Sequence, residues 1–236
     1  MASIAVRQRR VAFGLLGDAL DGLGRTADAF AAYTRMNELI VPLNAARRSE
    51  PAQATGSPGP ASRHAFLLGY PRSGTTLVEN VLASLPDIDG KTFVEMAPLN
   101  GTKLPMIARL FPHAVVVMCR RDPRDVVLSR FKRNFRVHAS TCQFTSLDST
   151  VRHYDAVMQL MEKHLQMLPL PVHVMDYASL RDFSRTAAER DMRTASAPQV
   201  RQGLFDGTRQ WLRYREQIEA VLPALERWAV KFGYEV

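Results

Sequence analysis

Residues 64–86 read HAFLLGYPRSGTTLVENVLASLP, and this stretch decides the fold. AFLLG is a short apolar run of strand length. Gly69 to Thr76 is a turn of small residues. From Thr76 onward apolar residues return at helical spacing, at Leu77, Val81, Leu82 and Leu85. The order strand, glycine-bearing loop, helix places the open amides of a helix N-terminus, and the positive end of its dipole, over the loop. Such a loop favours an oxyanion. Gly74 permits close backbone approach, Ser73, Thr75 and Thr76 offer hydroxyls, and Arg72 offers a charged fork. The nucleoside-triphosphatase pattern G-x-x-x-x-G-K-[ST] fails at its lysine, because Thr75 follows Gly74.

Downstream, HAVVVMC (113–119) reads as a second buried strand and RDPRDVVLSRFKRNF (121–135) as a loop and helix. HYDAVMQLMEKHL (153–165) is a helix whose methionines suit a core. PVHVMDY (171–177) is a third strand. RQWLRYREQIEAVLPALERWAVKF (209–232) is mostly helix, kinked or restarted near Pro223. Strands alternating with helices imply a parallel sheet covered on both faces, with the loops after the strands on one edge. The expected class is α/β, a P-loop-like parallel sheet flanked by helices.

Upstream, residues 11–40 carry apolar residues at helical spacing interrupted by Gly22 and Gly24, so a helical hairpin is expected over 1–48. Residues 49–63, SEPAQATGSPGPASR, have linker composition, and 64–236 then form the main domain. The pattern LGDAL-x-x-LGR-x-x-x-A-x-x-x-Y resembles one tetratricopeptide unit, which needs a neighbour to bury its face. A protein partner through the hairpin is one way to supply it.

The chain has 236 residues, 31 Lys+Arg against 23 Asp+Glu, and a net charge of +8. Of the cations 26 are arginine, which suits forked recognition of oxyanions. Residues 120–136 hold seven Lys or Arg. Arg124 is placed to add charge near a phosphate, whereas Arg130, Lys132, Arg133 and Arg136 read as a solvated basic face. No helix-turn-helix or aromatic platform accompanies that face, so nucleic-acid binding is not expected. Two cysteines without metal spacing make a zinc module or disulfide scaffold unexpected. No apolar run reaches membrane-spanning length and no signal peptide is read, so the expected location is cytoplasmic.

YPRSGTT resembles the 5′-phosphosulfate loop of sulfotransferases that use 3′-phosphoadenosine 5′-phosphosulfate. In CRRDPRDVVLS, Arg121 and Ser129 stand eight residues apart, as do the arginine and serine that hold the donor's 3′-phosphate in that family. DYASL resembles the segment after the third strand and puts Tyr177 near the nucleotide. TASAPQVRQGLFDGTRQWLRY resembles the segment that brings Ser196, Gln199 and Arg201 to the donor phosphates and packs Trp211 nearby. The resemblance extends to the subgroup with tetratricopeptide repeats ahead of the domain. It implies transfer of a sulfuryl group from that donor, without a metal, to a hydroxyl or amine acceptor of unknown identity. Arg72 would stabilise charge and Glu95 would act as base.

SLPDIDGKTFVEMAPLNG is shorter than the family's acceptor-site region, and so is the stretch after DYASLRDF. FVEMAPLN aligns with an Asp-Lys-x-Pro segment, with Glu95 and Met96 in the places of the aspartate and lysine, or else it offers Glu95 as the base. The alternative function is therefore a catalytically impaired relative serving as a nucleotide-binding or protein-interaction module.

Overall fold

The computed structural model describes residues 2–45, 63–83, 92–135, 143–178 and 208–235. The proline-rich stretch 49–62 falls outside them, as do Ser196, Gln199 and Arg201. The chain divides into two compact units, one made of residues 1–55, 123–155 and 209–236, the other of 56–122 and 156–208.

The second unit holds the sheet. Its strands are β1 (Arg63–Leu68), β2 (Thr92–Met96), β3 (Val115–Arg120) and β4 (Val172–Asp176), all parallel, in the order β2-β1-β3-β4. Helix α4 (Thr75–Ala83) follows β1, and α5 (Leu104–Leu110) follows a 3₁₀ turn at Pro98–Lys103. The register pairs Leu67 with Val117 and Met96, and Cys119 with Met175. These side chains share one face, where Leu67, Val78 and Cys119 form a buried cluster with Leu77 and Leu82 of α4 around them. On the opposite face the Phe111 ring lies 4.4 Å from His64 and 5.5 Å from Phe66. Period-two alternation along β1 thus feeds two apolar layers.

In chain order, β2 lies on one side of β1 and β3 on the other. The loops leaving β1 and β3 therefore part at the C-terminal edge, the switch point at which open parallel sheets bind ligands. Among the described residues β2 is the one strand that sequence patterning does not reveal. The segment FVEMAPLN contributes its first four residues to it.

The first unit is helical. Helix α1 (Ala2–Gly22) and α2 (Thr26–Glu38) form the expected hairpin, followed by α3 (Ile40–Ala45). The turn ends α1 in a Schellman arrangement: Gly24 sits at φ +76°, its amide bonds Asp21 O, and the Arg25 amide bonds Leu20 O. Ala29, Tyr33 and Met36 of α2 bury themselves with Phe131 of α6 (Pro123–Phe131), and the rings of Phe30 and Phe131 stack at 5.2 Å. Asn37 Nδ2 donates to the Phe131 carbonyl at 2.8 Å.

Helix α7 (Leu147–Met167) is longer at both ends than the stretch 153–165, and it passes from the first unit into the second. Its Met158 and Met161 are buried, as a core reading requires, whereas Met167 is exposed. The C-terminal stretch is broken rather than continuous: a 3₁₀ turn at Gln210–Tyr214, α8 (Arg215–Ile218), a second 3₁₀ turn at Glu219–Val221, then α9 (Leu222–Lys231). Pro223 opens α9, where its missing amide hydrogen costs nothing. Among the described residues no helix is long and apolar enough to cross a membrane.

Candidate functional site

The loop between β1 and α4 has the backbone of an anion cradle. Arg72 adopts φ +83°, rare for a residue with a side chain, and Gly74 adopts φ +102°. Such strain persists where the surrounding structure imposes it, and it clusters at ligand clamps. The Ser73 amide closes a turn onto the Tyr70 carbonyl at 3.0 Å. Gly74 O accepts from Leu77 and Val78, so the helix starts immediately after it. The first amides of α4 then face outward without intrahelical partners.

Gly69, at the strand exit, is required by close approach. A Cβ there would stand 2.4 Å from Ser73 Oγ and 2.7 Å from the Cys119 carbonyl. The Gly69 amide donates to Pro98 O at 3.2 Å, which ties the segment after β2 to the same loop. Burial pushes the neighbouring Cys119 thiol up to about 12, so it remains a neutral packing group.

The loops after β3 and β4 converge on the same edge. Arg121 Nη1 donates to the Arg72 carbonyl at 3.0 Å, and its guanidinium lies 4.7 Å from the Tyr177 ring centre. The Tyr177 amide donates to Arg120 O at 2.8 Å. Arg72, Arg121 and Tyr177, three residues picked out by their sequence context, thus belong to one connected arrangement.

Ser73 tests whether an anionic group suits this loop. The residue is only 3% exposed, and its Oγ is buried with no hydrogen-bond partner. A buried hydroxyl without a partner costs free energy that a bound oxyanion would recover. Thr75 is buried beside it, while Thr76 and Arg72 reach solvent. Buried and exposed donors together fit a phosphate-like ligand held against the sheet edge.

Glu95 lies on β2 in register with Phe66, on the face opposite α4. It precedes the strand's last residue. Phe66 stands three residues before Gly69, roughly 10 Å along the strand. Glu95 is half-buried. Ser129 is half-buried on α6, in the helical unit, whereas Arg121 belongs to the sheet unit. Among the described residues no group of three His, Cys, Asp or Glu is placed to hold a metal.

The basic stretch after β3 differs from the solvated face that its composition suggests. Arg130 is 4% exposed, with its guanidinium carbon 3.2 Å from the Phe135 ring centre and 3.7 Å from that of Phe144. Lys132 is ion-paired to Asp21 and faces the rings of Tyr33 and Tyr214. Burial pushes the Asp21 carboxyl up, but its bonds to Lys132 and Tyr214 and the charges of Lys132 and Arg213 outweigh that and hold it below the usual range. Arg133 alone of the four expected surface cations is seen exposed; Arg136 lies outside the described residues.

Arg124 is equally committed. It stacks 4.1 Å from the Trp211 ring and donates to Glu235 O at 2.6 Å. Its neighbour Asp125 was not singled out by sequence. Its two carboxylate oxygens accept the amides of Arg209, at 2.8 Å, and Trp211, at 2.9 Å. That holds Arg209 in its left-handed conformation at φ +57°. An acidic residue in the first turn of a helix was the only sequence signal available for it.

Comparison with known proteins bears on this geometry. The chain is 22% identical over 71% of its length to an uncharacterized protein of Aquifex aeolicus (strain VF5), and it spans about a third (33%) of that protein. The model of the family described as Sulfotransferase family matches residues 89–190, a segment that contains Glu95, Arg121, Ser129 and Tyr177. With a parallel α/β sheet and a glycine-bearing strand-to-helix loop at its switch point, this match supports a sulfotransferase-like domain.

Proposed function

We propose that the chain is a sulfotransferase that takes 3′-phosphoadenosine 5′-phosphosulfate as donor and a hydroxyl or amine group as acceptor. The observation that carries this reading is the junction of Arg121 with Arg72 and Tyr177 at the sheet's switch point, together with a buried Ser73 hydroxyl that lacks a partner. The donor supplies an activated sulfuryl group and a leaving phosphate. Everything else falls to the chain's own residues.

Arg72 and the amides of Gly74, Thr75 and Thr76 hold the 5′-phosphosulfate and balance the charge that develops during transfer. Ser73 donates its hydroxyl from beneath. Arg121 and Ser129 hold the 3′-phosphate, the group that separates this donor from an adenosine diphosphate. Tyr177 backs Arg121 and borders the nucleotide, and Ser196 and Arg201 add phosphate contacts. Glu95 takes the acceptor's proton. No metal is required, because arginine and helix amides supply the positive charge. The setting is cytoplasmic, and the hairpin of α1 and α2 offers a surface for a protein partner.

Calorimetric titration tests the reading. Adenosine 3′,5′-bisphosphate is expected to bind at least about tenfold more tightly than ADP, the worth of one charge-assisted contact. Equal affinities would overturn the donor assignment. Transfer of labelled sulfate to a panel of hydroxyl and amine acceptors, abolished in Glu95→Gln, is the test of turnover. Nucleotide selectivity without transfer to any acceptor would favour a non-catalytic nucleotide-binding module.

A further inference from the structure

Helix α1 buries one side against α2 and leaves an apolar stripe on the other. At 100° per residue, Ile4, Val11, Leu15, Leu16, Ala19 and Leu23 fall on a single arc of roughly 140°. They are not marginal exposures: Ile4 is 62% exposed, Leu15 66% and Leu23 74%. Gln8 is the only polar residue on the arc. A continuous outward stripe of this kind on a helix of about 31 Å marks an interaction surface rather than scattered surface residues.

Charge indicates what covers it. One flank of the stripe carries Arg7 near the N-terminal end and Asp18 near the C-terminal end. Asp18 Oδ1 accepts the Tyr33 hydroxyl at 2.9 Å, which fixes that carboxylate on the flank. Four of the six apolar positions are arranged symmetrically about residue 13, with Val11 balancing Leu15 and Ile4 balancing Leu23 to within a residue. We propose that α1 pairs with α1 of a second copy of this chain, antiparallel, about a two-fold axis near residue 13.

In that arrangement equal flanks meet, so Arg7 of each copy faces Asp18 of the other, and the contact is self-complementary. Val11 packs on Leu15 of the second copy, and Ile4 packs beside Leu23. Parallel pairing brings opposite flanks together at the same level, so the contact between Arg7 of one copy and Asp18 of the other is lost.

Sedimentation velocity on the full chain, from about 1 to about 100 µM, is expected to show a species of twice the 26.5 kDa chain mass. The double variant Val11→Glu with Leu15→Glu changes only exposed side chains and should be monomeric throughout, with unchanged circular dichroism. Arg7→Glu should weaken association at least about tenfold. Orientation is read by disulfide trapping in a Cys142→Ser background. Ile4→Cys chains mixed with Leu23→Cys chains should cross-link to each other, and Ile4→Cys chains alone should not.

A monomer at every concentration overturns the proposal, and so does a dimer that survives the double variant. Self-cross-linking of Ile4→Cys would replace antiparallel pairing with parallel. Capture of α1 by a helix from elsewhere, with no self-association, also overturns it.

Discussion

Arg121 Nη1 donates to the main-chain carbonyl of Arg72 at 3.0 Å, so the cation at the end of β3 supports the strained residue of the loop after β1. The same guanidinium lies over Tyr177, and one side chain therefore secures the exits of three neighbouring strands. Replacing it by alanine removes a charge-assisted bond and a ring contact together. Arg121→Ala should weaken adenosine 3′,5′-bisphosphate by roughly 10- to 100-fold while changing ADP affinity much less. Arg121→Lys should fall between, because it keeps the charge and loses the fork. Calorimetry on both nucleotides checks this.

Ser73→Ala gives effects of opposite sign in the free and bound protein. In the free protein its Oγ is buried without a partner, so removal should raise stability by about 1 kcal/mol. With nucleotide present the same change deletes a donor and should weaken binding several-fold. Thermal unfolding with and without adenosine 3′,5′-bisphosphate reads both. A variant less stable than wild type in the free form would mean that the hydroxyl is already satisfied.

Gly69→Ala is expected to be among the most damaging substitutions in the sheet unit. The new Cβ meets backbone, the Cys119 carbonyl, as well as Ser73 Oγ, and only the latter is a side chain that can move. A cost of about 2–3 kcal/mol follows from overpacking, with loss of nucleotide binding because β1 and its loop must shift. Urea unfolding gives the magnitude.

His153 predicts an acid limit for the helical unit. Burial lowers its pKa from the usual 6.5, and the charge of Arg130 lowers it further. Below 6.5 the unfolded chain takes up a proton that the folded chain refuses. Stability is therefore level above that pH and falls as pH drops from 6.5 through the folded value. His153→Gln should flatten this part of the profile, so the gap in melting temperature between variant and wild type should narrow on going from about pH 7.5 to about pH 5.5.

The strand–loop–helix at 64–83 was legible because its signals are local: an apolar run, a turn rich in small residues, then helical periodicity. The hairpin was legible for the same reason, with Gly24 marking its turn. β2 was not. It is a five-residue edge strand with an exposed Phe93 and half-buried neighbours, so neither alternation nor an apolar run announces it. The roles of Arg130 and Lys132 were hidden too, because the rings that enclose them come from other segments. Tyr33 precedes Lys132 by 99 residues and Tyr214 follows it by 82. A long cation reads as solvated until its aromatic neighbours are known. Asp125, whose amide partners stand 84 and 86 residues away, shows the same limit.

The interleaving of the two units sets an order of events during synthesis. The strands of the sheet seen among the described residues are all present once Asp176 has left the ribosome. The helical unit cannot close so early: Phe30 and Tyr33 are made 184 and 181 residues before Tyr214, whose ring lies 6.4 Å from Phe30. At roughly 5–20 residues per second that interval lasts on the order of 10–40 s. Throughout it the hairpin presents the side of α2 destined for Tyr214 uncovered.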